Sequence, residues 1–536
     1  MQNEETNAKR LTLKTVFHSS FFIQHSAFVL IALLALAIRL PQLGERPMHT
    51  DEAVNAYLTG GLLAGENFHY DPQDRHGPAL FVLAEPIVKL LGAKKFSELT
   101  ESQLRLTPVI VGSATILLFG AGVEMFGFIA CLVAALLFAF APLPVYYSRY
   151  FIHETLFVAV TLGLILSGGR MLKTNSVSAA ALTGFCAALM LACKETAVIH
   201  FFALAIALII GWLVNRWTGG APGTESARSV GVQASACPEN TLKRELQPAG
   251  TVPGAPVAKI IFTALAVFIF TAVLLFTWFG RNWSVFADLL HAIPRFAARA
   301  GGEGHAKPFG YYFHLLDPLL ILFLLAAAGV YAAICDAVGG GRKTGLRLVI
   351  YALVVALIYS AIPYKTPWLA LNLWLPLTLL CGFGVAAIWE QIKNSAGRWG
   401  VAIAGAFLLT TLATQTKLLV FDKPADEKNP YAYAHTTEDL LGLPVQLAEL
   451  ARQNNISSPR IAVVAADAWP LPWYLRKFSQ VGYWQPGQET GDADFFITTT
   501  DVSSQLAERL KEFRPDFFGV RPNVLLVLWS PPAQQP

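Results

Sequence analysis

Charge is what this 536-residue chain has little of: 14% of its residues are Asp, Glu, Lys or Arg, against roughly 25% in a soluble domain. With 54% hydrophobic residues and a mean hydropathy of +0.49, that shortage excludes a soluble globular protein and indicates a membrane protein. No charge of one sign is in surplus either. A formal net charge of +4 offers no basic surface for nucleic acid, so its positive residues inform by location rather than by sum. Cysteine is scarce and badly spaced for chemistry. Cys131, Cys186, Cys193, Cys335 and Cys381 lie in apolar stretches and Cys237 in a polar linker, with no CxxC among them, so neither a disulfide nor a zinc site is expected. No small-x-small cleavage site follows the first apolar run, about 20 to 40. Lys9, Arg10 and Lys14 therefore precede an uncleaved span.

What the chain does have is hydrocarbon-length segments. Mostly apolar runs recur at about 20–40, 106–123, 128–147, 152–169, 177–193, 196–215, 260–280, 315–335, 348–363, 367–389 and 400–420, which predicts about eleven transmembrane helices. The segment "GPALFVLAEPIVKLLG", 77–92, is short and carries Glu85, Pro86 and Lys89; it reads as an amphipathic interfacial helix. Leaving it out of the span count satisfies the positive-inside rule. Arg170, Lys173, Arg216, Arg228, Lys243, Arg244, Arg342, Lys343, Arg347, Lys393 and Arg398 then all fall in cytoplasmic loops, as does the N-terminus, 1–19. Residues 217–258, rich in Gly, Pro, Ser and Ala, read as a disordered cytoplasmic linker. Within the membrane domain, 20–420, the first outer loop is 41–104.

Residues 421–536 have the composition of a soluble domain and, by the same parity, lie outside the cell membrane. "RIAVVAA", "DFFITTT" and "NVLLVLW" read as buried strands, and 437–454 and 503–513 as amphipathic helices, giving a small α/β domain. It has no Gly-rich phosphate loop, which favours scaffolding or acceptor docking over catalysis.

Acids and bases gather in the outer loops. "MHTDEAVNAYLTGG" and "YDPQDRHGP" supply His49, Asp51, Glu52, Asp71, Asp74, Arg75 and His76; "YYSRYFIHE" supplies Arg149, His153 and Glu154; "CKET" supplies Lys194 and Glu195; "IPYKTPW" supplies Tyr364 and Lys365. The loop 281–311 adds Arg281, His291, Arg295, Arg299 and His305. Each has a plainer explanation. Cations at helix ends snorkel to headgroups, and Asp51 with Glu52 would suit the first turn of an interfacial helix capped by Thr50. His200, Asp317 and Glu124, inside or at the ends of spans, are functional candidates by position alone. Carboxylates and cations together at a bilayer surface suit a lipid-linked phosphate substrate. Its tail stays among the spans, its phosphate needs Lys or Arg, and an incoming hydroxyl needs a carboxylate to take its proton. Glycosyl transfer from a polyprenyl phosphate meets that demand, and a single carboxylate base acting once would invert the anomeric centre.

The acid pair after the first span, the His-x-Pro element and the Ser-Arg followed by an acid resemble the C-type membrane glycosyltransferases of glycosyltransferase family 39, that is, the protein O-mannosyltransferases and lipid A aminoarabinose transferases. "MHTDEAVNAY", "YDPQDRHGP", "YKTPWL", "NPYAYAHTTEDL" and "WPLPWYLR" look like a prokaryotic flippase-activity-associated subfamily. The resemblance implies a polyprenyl-phosphate-linked sugar donor, an extracytoplasmic acceptor (protein, lipid or glycan), a setting among membrane lipids, and no nucleotide cofactor. It makes Asp51 the catalytic base, with Glu52 and Glu154 as its supports or as ligands of a divalent cation (Mg, Mn or Zn) shared with Asp51. Arg75, His76, Arg149, Lys194 and Lys365 would bind phosphate. Gly77 stands where relatives have proline, implying a looser loop that passes the contact to Arg75. The subfamily's label implies a rival role, a lipid-linked sugar flippase or its accessory, which would thread polar groups through the bilayer midplane. This chain confines most of them to the outer rim.

Overall fold

The structure is a computed structural model that describes residues 25–71, 76–218, 255–302, 304–316, 320–341 and 343–532. The N-terminal segment 1–19 and nearly all of 217–258 lie outside these residues, as do Arg75, Asp317 and Arg342. Among those described, eight helices are long and apolar enough to cross a membrane: Glu101–Ala121, Glu154–Thr174, Ala197–Trp217, Val257–Phe276, Ile321–Val338, Thr344–Ala361, Pro367–Gln391 and Ser395–Asp422. Three further apolar helices, His25–Arg39, Phe128–Phe140 and Val177–Cys193, are shorter. The run 128–147, expected as one span, is two helices. Pro142 and Pro144 cannot continue the ladder, so Ala141 turns extended and Pro142–Tyr147 starts anew with proline in its first turn. The segment read as interfacial is a helix, Ala79–Leu90.

Small residues bring the helices together where no hydrophobic effect can. A Cβ on Gly329 would lie 1.9 Å from the Leu380 carbonyl oxygen, so the helices Ile321–Val338 and Leu371–Gln391 meet backbone to backbone only because glycine stands there. His200 is hydrogen-bonded between helices: its ring nitrogens lie 2.7 and 3.1 Å from the Tyr351 and Tyr359 hydroxyls.

The C-terminal sheet has five strands: β1 (Arg460–Val464), β2 (Gln480–Trp484), β3 (Phe495–Thr499), β4 (Arg514–Arg521) and β5 (Val524–Ser530), in the order β2-β1-β3-β5-β4. β1 pairs in parallel with β2 and β3, while β5 runs antiparallel to β3 and β4. The helix Leu443–Gln453 forms where expected, but 503–513 breaks into short turns. This sheet shares a core with the membrane part. Met48, Ala53, Ala56, Leu99 and Phe151 pack in one buried cluster with Leu440, Leu471, Trp473 and Tyr474. The C-terminal domain is thereby seated on the loops that carry the acid pair.

Candidate active site

The helix Thr50–Leu63 presents the acid pair. His49, not Thr50, caps it: its Nδ1 accepts the Asp51 N–H at 3.1 Å, and the His49 N–H donates back to Glu52 Oε2 at 3.3 Å. Successive residues on a helix point about 100° apart, so the two carboxylates of the pair are sent in different directions. That divergence gives them different chemistry.

Glu52 points inward and is fully buried. Its Oε1 accepts from Arg105 Nε at 2.8 Å and the Phe151 N–H at 2.9 Å; its Oε2 accepts from Arg105 Nη2 at 2.8 Å and Arg46 Nη2 at 3.1 Å. Burial alone would raise its pKa. The two guanidiniums overcome that and hold the carboxyl far below the usual carboxylate range. Arg105 also donates to the carbonyls of Leu43, Arg46 and Pro47, and Arg46 lies over the rings of Tyr150 and Tyr146 at 4.2 and 5.1 Å. Neither arginine was among the residues singled out by sequence. Arg105 is at the threshold of an apolar run, where an ionisable residue is a signal by itself.

Asp51 is partly exposed, and its carboxylate receives no hydrogen bond or ion pair from any described residue. The third acid, Glu154, is buried at the first turn of its span and paired with Lys194. These carboxylates do not suit a shared metal ion. Glu52 has both oxygens committed to arginine, Glu154 faces a lysine, and no group of three His, Cys, Asp or Glu among the described residues is arranged to hold a cation.

The phosphate-binding residues expected from sequence separate into two kinds. Arg149 gives its N–H groups to the carbonyls of Arg39, Pro41 and Gln42, at 2.9, 2.5 and 3.0 Å, where it satisfies the open end of the helix His25–Arg39. Burial, aided by the neighbouring arginines, lowers its pKa to about 9. Lys365 gives its ammonium to the carbonyls of Ile362 and Lys307, at 2.5 and 3.2 Å. Both cations therefore act here as main-chain clamps: three of the five Arg149 N–H groups and two of the three on Lys365 are given to carbonyls. His76 and Lys194 belong instead to a connected cluster. His76 Nδ1 lies 2.9 Å from Glu195 Oε2, Tyr70 donates to Glu195 Oε1 at 3.0 Å, and Lys194 pairs with Glu154. Burial would raise the Glu195 pKa, but His76 and Tyr70 leave it lowered.

The segment 149–154 ties the two clusters together. Arg149 and Phe151 bond to Arg46, Glu52 and Asn55; His153 and Glu154, two to three residues on, bond to Gly77 and Lys194. At about 3.5 Å per residue, no more than about 10 Å of chain separates Phe151 from Glu154. Gly77 is not loose. It is buried, its carbonyl lies 3.1 Å from His153 Nε2, and a Cβ there would lie 2.2 Å from the Ala192 carbonyl oxygen. Gly77→Ala must force two backbones apart, at a cost of about 1–3 kcal/mol, and will displace His76 from Glu195. Thermal unfolding and donor KM will report both effects; unchanged values would contradict the packing.

The C-terminal domain closes over this end of the bundle. The Met48 N–H donates to Tyr474 Oη at 2.8 Å, Thr436 Oγ1 donates to the Met48 carbonyl at 2.7 Å, and His49 Nε2 lies 3.2 Å from the Tyr433 carbonyl. The His49 and His435 rings are 5.6 Å apart, and Lys307, another cation that sequence reasoning passed over, lies 5.3 Å above the Tyr433 ring. Burial lowers the pKa of His49, His153 and His435 below the ordinary 6.5. The sign follows directly. Below about pH 6.5 the unfolded chain takes up protons that the native state refuses, so stability falls by up to about 1.4 kcal/mol per pH unit for each histidine. Thermal unfolding from pH 8 to 5 should show that loss, with a shallower slope in His435→Gln; a flat profile would contradict it.

Residues 76–221 match the family model described as dolichyl-phosphate-mannose-protein mannosyltransferase. No curated protein matches the chain in sequence. Its fold is similar to that of ArnT from Cupriavidus metallidurans bound to undecaprenyl phosphate: 14% identity, TM-score 0.57, covering 93% of this chain and 97% of that one. It is also similar to the archaeal oligosaccharyltransferase AglB from Archaeoglobus fulgidus in complex with an inhibitory peptide and a dolichol-phosphate: 12% identity, TM-score 0.50, covering 93% and 74%. The expected resemblance to C-type membrane glycosyltransferases thus holds at the level of fold: a mainly helical, multi-pass membrane protein with a small C-terminal sheet domain.

Proposed function

We propose that this chain is an integral membrane glycosyltransferase that moves a sugar from a polyprenyl-phosphate donor to an extracytoplasmic acceptor, with Asp51 as its general base. The observation that carries this is the contrast within the acid pair. Glu52 is locked between Arg46 and Arg105, while Asp51, held at the N-terminus of the same helix, keeps its oxygens uncommitted among the described residues. The matched mannosyltransferase segment and the fold shared with a polyprenyl-phosphate-bound protein support the donor class.

In the reaction the acceptor oxygen bonds to the anomeric carbon as its proton passes to an Asp51 oxygen, and the bond from that carbon to the phosphate oxygen breaks with its electron pair leaving on the polyprenyl phosphate. One displacement inverts the centre. Glu52 is a positioning residue, since it fixes the helix turn that aims Asp51. His76 and Lys194, with Arg75, are the groups we assign to the phosphate; Glu195 holds His76 in place and Glu154 holds Lys194. Residues 421–536 lie on the extracytoplasmic side with the site.

The test is purified protein in proteoliposomes with polyprenyl-phosphate mannose or glucose and a membrane extract as acceptor source. Transfer with an inverted linkage is expected. Movement of the donor across the bilayer with no transfer would favour a flippase and overturn this reading.

A further inference from the structure

The accessible stripe of the helix Thr50–Leu63 continues past Asp51. Partly or fully exposed residues recur at Asp51, Val54, Tyr57, Leu58 and Gly61, the spacing of one helix face. Tyr57, about 9 Å along the axis from Asp51, is 51% exposed. Its ring meets Trp469 of the C-terminal domain edge to face at 5.9 Å. Tyr483 on β2, 42% exposed, pairs with Val463 near the end of β1, from which the chain runs on to Trp469. The rings stand on a rigid base. Phe96 packs 5.5 Å behind Tyr57 and 5.9 Å from Trp473, whose indole N–H is fixed on Glu101 at 2.7 Å. The Trp469 N–H donates to Asp467 Oδ1 at 3.0 Å, and Asp467 pairs with Arg521 at 3.0 Å.

From this juxtaposition we infer that Tyr57, Trp469, Tyr483 and the Asp467–Arg521 pair form an acceptor subsite for a saccharide; the inference rests on the reading of Asp51 as the base. Two exposed rings, Tyr57 and Tyr483, and the partly buried Trp469, held in fixed orientations, offer flat apolar faces for the C–H faces of pyranose rings, at little cost in side-chain entropy. A carboxylate–guanidinium pair beside them can accept from and donate to vicinal hydroxyls. The patch is continuous with the catalytic carboxylate, so a glycan lying on it would bring a terminal hydroxyl toward Asp51 from the aqueous side. An extended peptide added to the free edge of β2 is the other outcome to be tested.

Full-length protein in nanodiscs is applied to an array of immobilised neutral and acidic oligosaccharides and of peptides. Retention on saccharide spots is expected, weakened at least tenfold by Trp469→Ala and by Tyr483→Ala, and largely kept by Tyr57→Phe, which preserves the ring. In transfer assays the same alanine variants should raise acceptor KM and leave donor KM unchanged. Asp51→Asn should bind saccharide like the wild type. Retention on peptide spots only, no retention anywhere, or binding undiminished by Trp469→Ala overturns the inference. If the protein transfers sugar but binds no saccharide, the subsite falls and the transferase reading stands; if it binds saccharide at these rings but transfers nothing, the saccharide contact stands and its role as an acceptor subsite falls with the transferase reading.

Discussion

Asp51→Asn is expected to lower sugar transfer by about 10²- to 10⁴-fold, with no change in fold and little change in donor affinity. The substitution is nearly isosteric, and it removes no hydrogen bond or ion pair among the described residues. The Asp51 N–H bond to His49 is a main-chain contact and survives. What is lost is the ability to take a proton as the acceptor oxygen bonds to the sugar. The effect should therefore appear in kcat, with donor binding to the purified variant preserved. A variant retaining more than a tenth of wild-type turnover would remove Asp51 from the role.

Glu52→Ala is expected to do its damage elsewhere, in the fold. Removing the carboxylate leaves Arg46 and Arg105 facing each other in a buried site with Arg149 and Arg39 nearby, and strands the Phe151 N–H. Breaking one side of a buried ion pair costs about 3–5 kcal/mol, a large share of the stability of most proteins. Because the same carboxylate holds the His49 N–H and the 149–151 segment, loss of the helix cap and of the C-terminal domain's seat should follow. Glu52→Gln keeps the shape and some hydrogen bonds but not the charge, and should be destabilised less. Thermal unfolding and size-exclusion profiles of the two variants check this order. An alanine variant as stable as the wild type would show that the arginines do not depend on Glu52.

Adjacent letters in the sequence thus carry opposite work, and this marks the limit of what the sequence disclosed. The helices were legible because bilayer thickness imposes a length on apolar runs, and strands β1, β3 and β5 because buried strands are continuously apolar. β2 and β4 were not, since their residues alternate or carry charge at the sheet edges. Within the site, the residue types and their gathering at one end could be read, whereas their partners could not. Arg149 looks like a phosphate ligand until Arg39, Pro41 and Gln42 are seen to occupy it, and Lys365 until Ile362 and Lys307 do. Glu52 reads from sequence as a support of Asp51 or as a ligand of a cation, and neither reading points to Arg46 or Arg105 as its partners. Pairings between residues far apart in the chain, such as Glu52 with Arg105, leave no local pattern behind.

The central claim is that the Asp51 carboxylate faces the extracytoplasmic compartment at the level of a lipid-borne phosphate. Its most direct test is Asp51→Cys in a background where the exposed Cys335 and the linker Cys237 are replaced by serine, treated on intact cells with a membrane-impermeant thiol reagent. The account predicts labelling without lysis, and protection when a polyprenyl-phosphate sugar is supplied. A thiol that reacts only after the membrane is broken would contradict it.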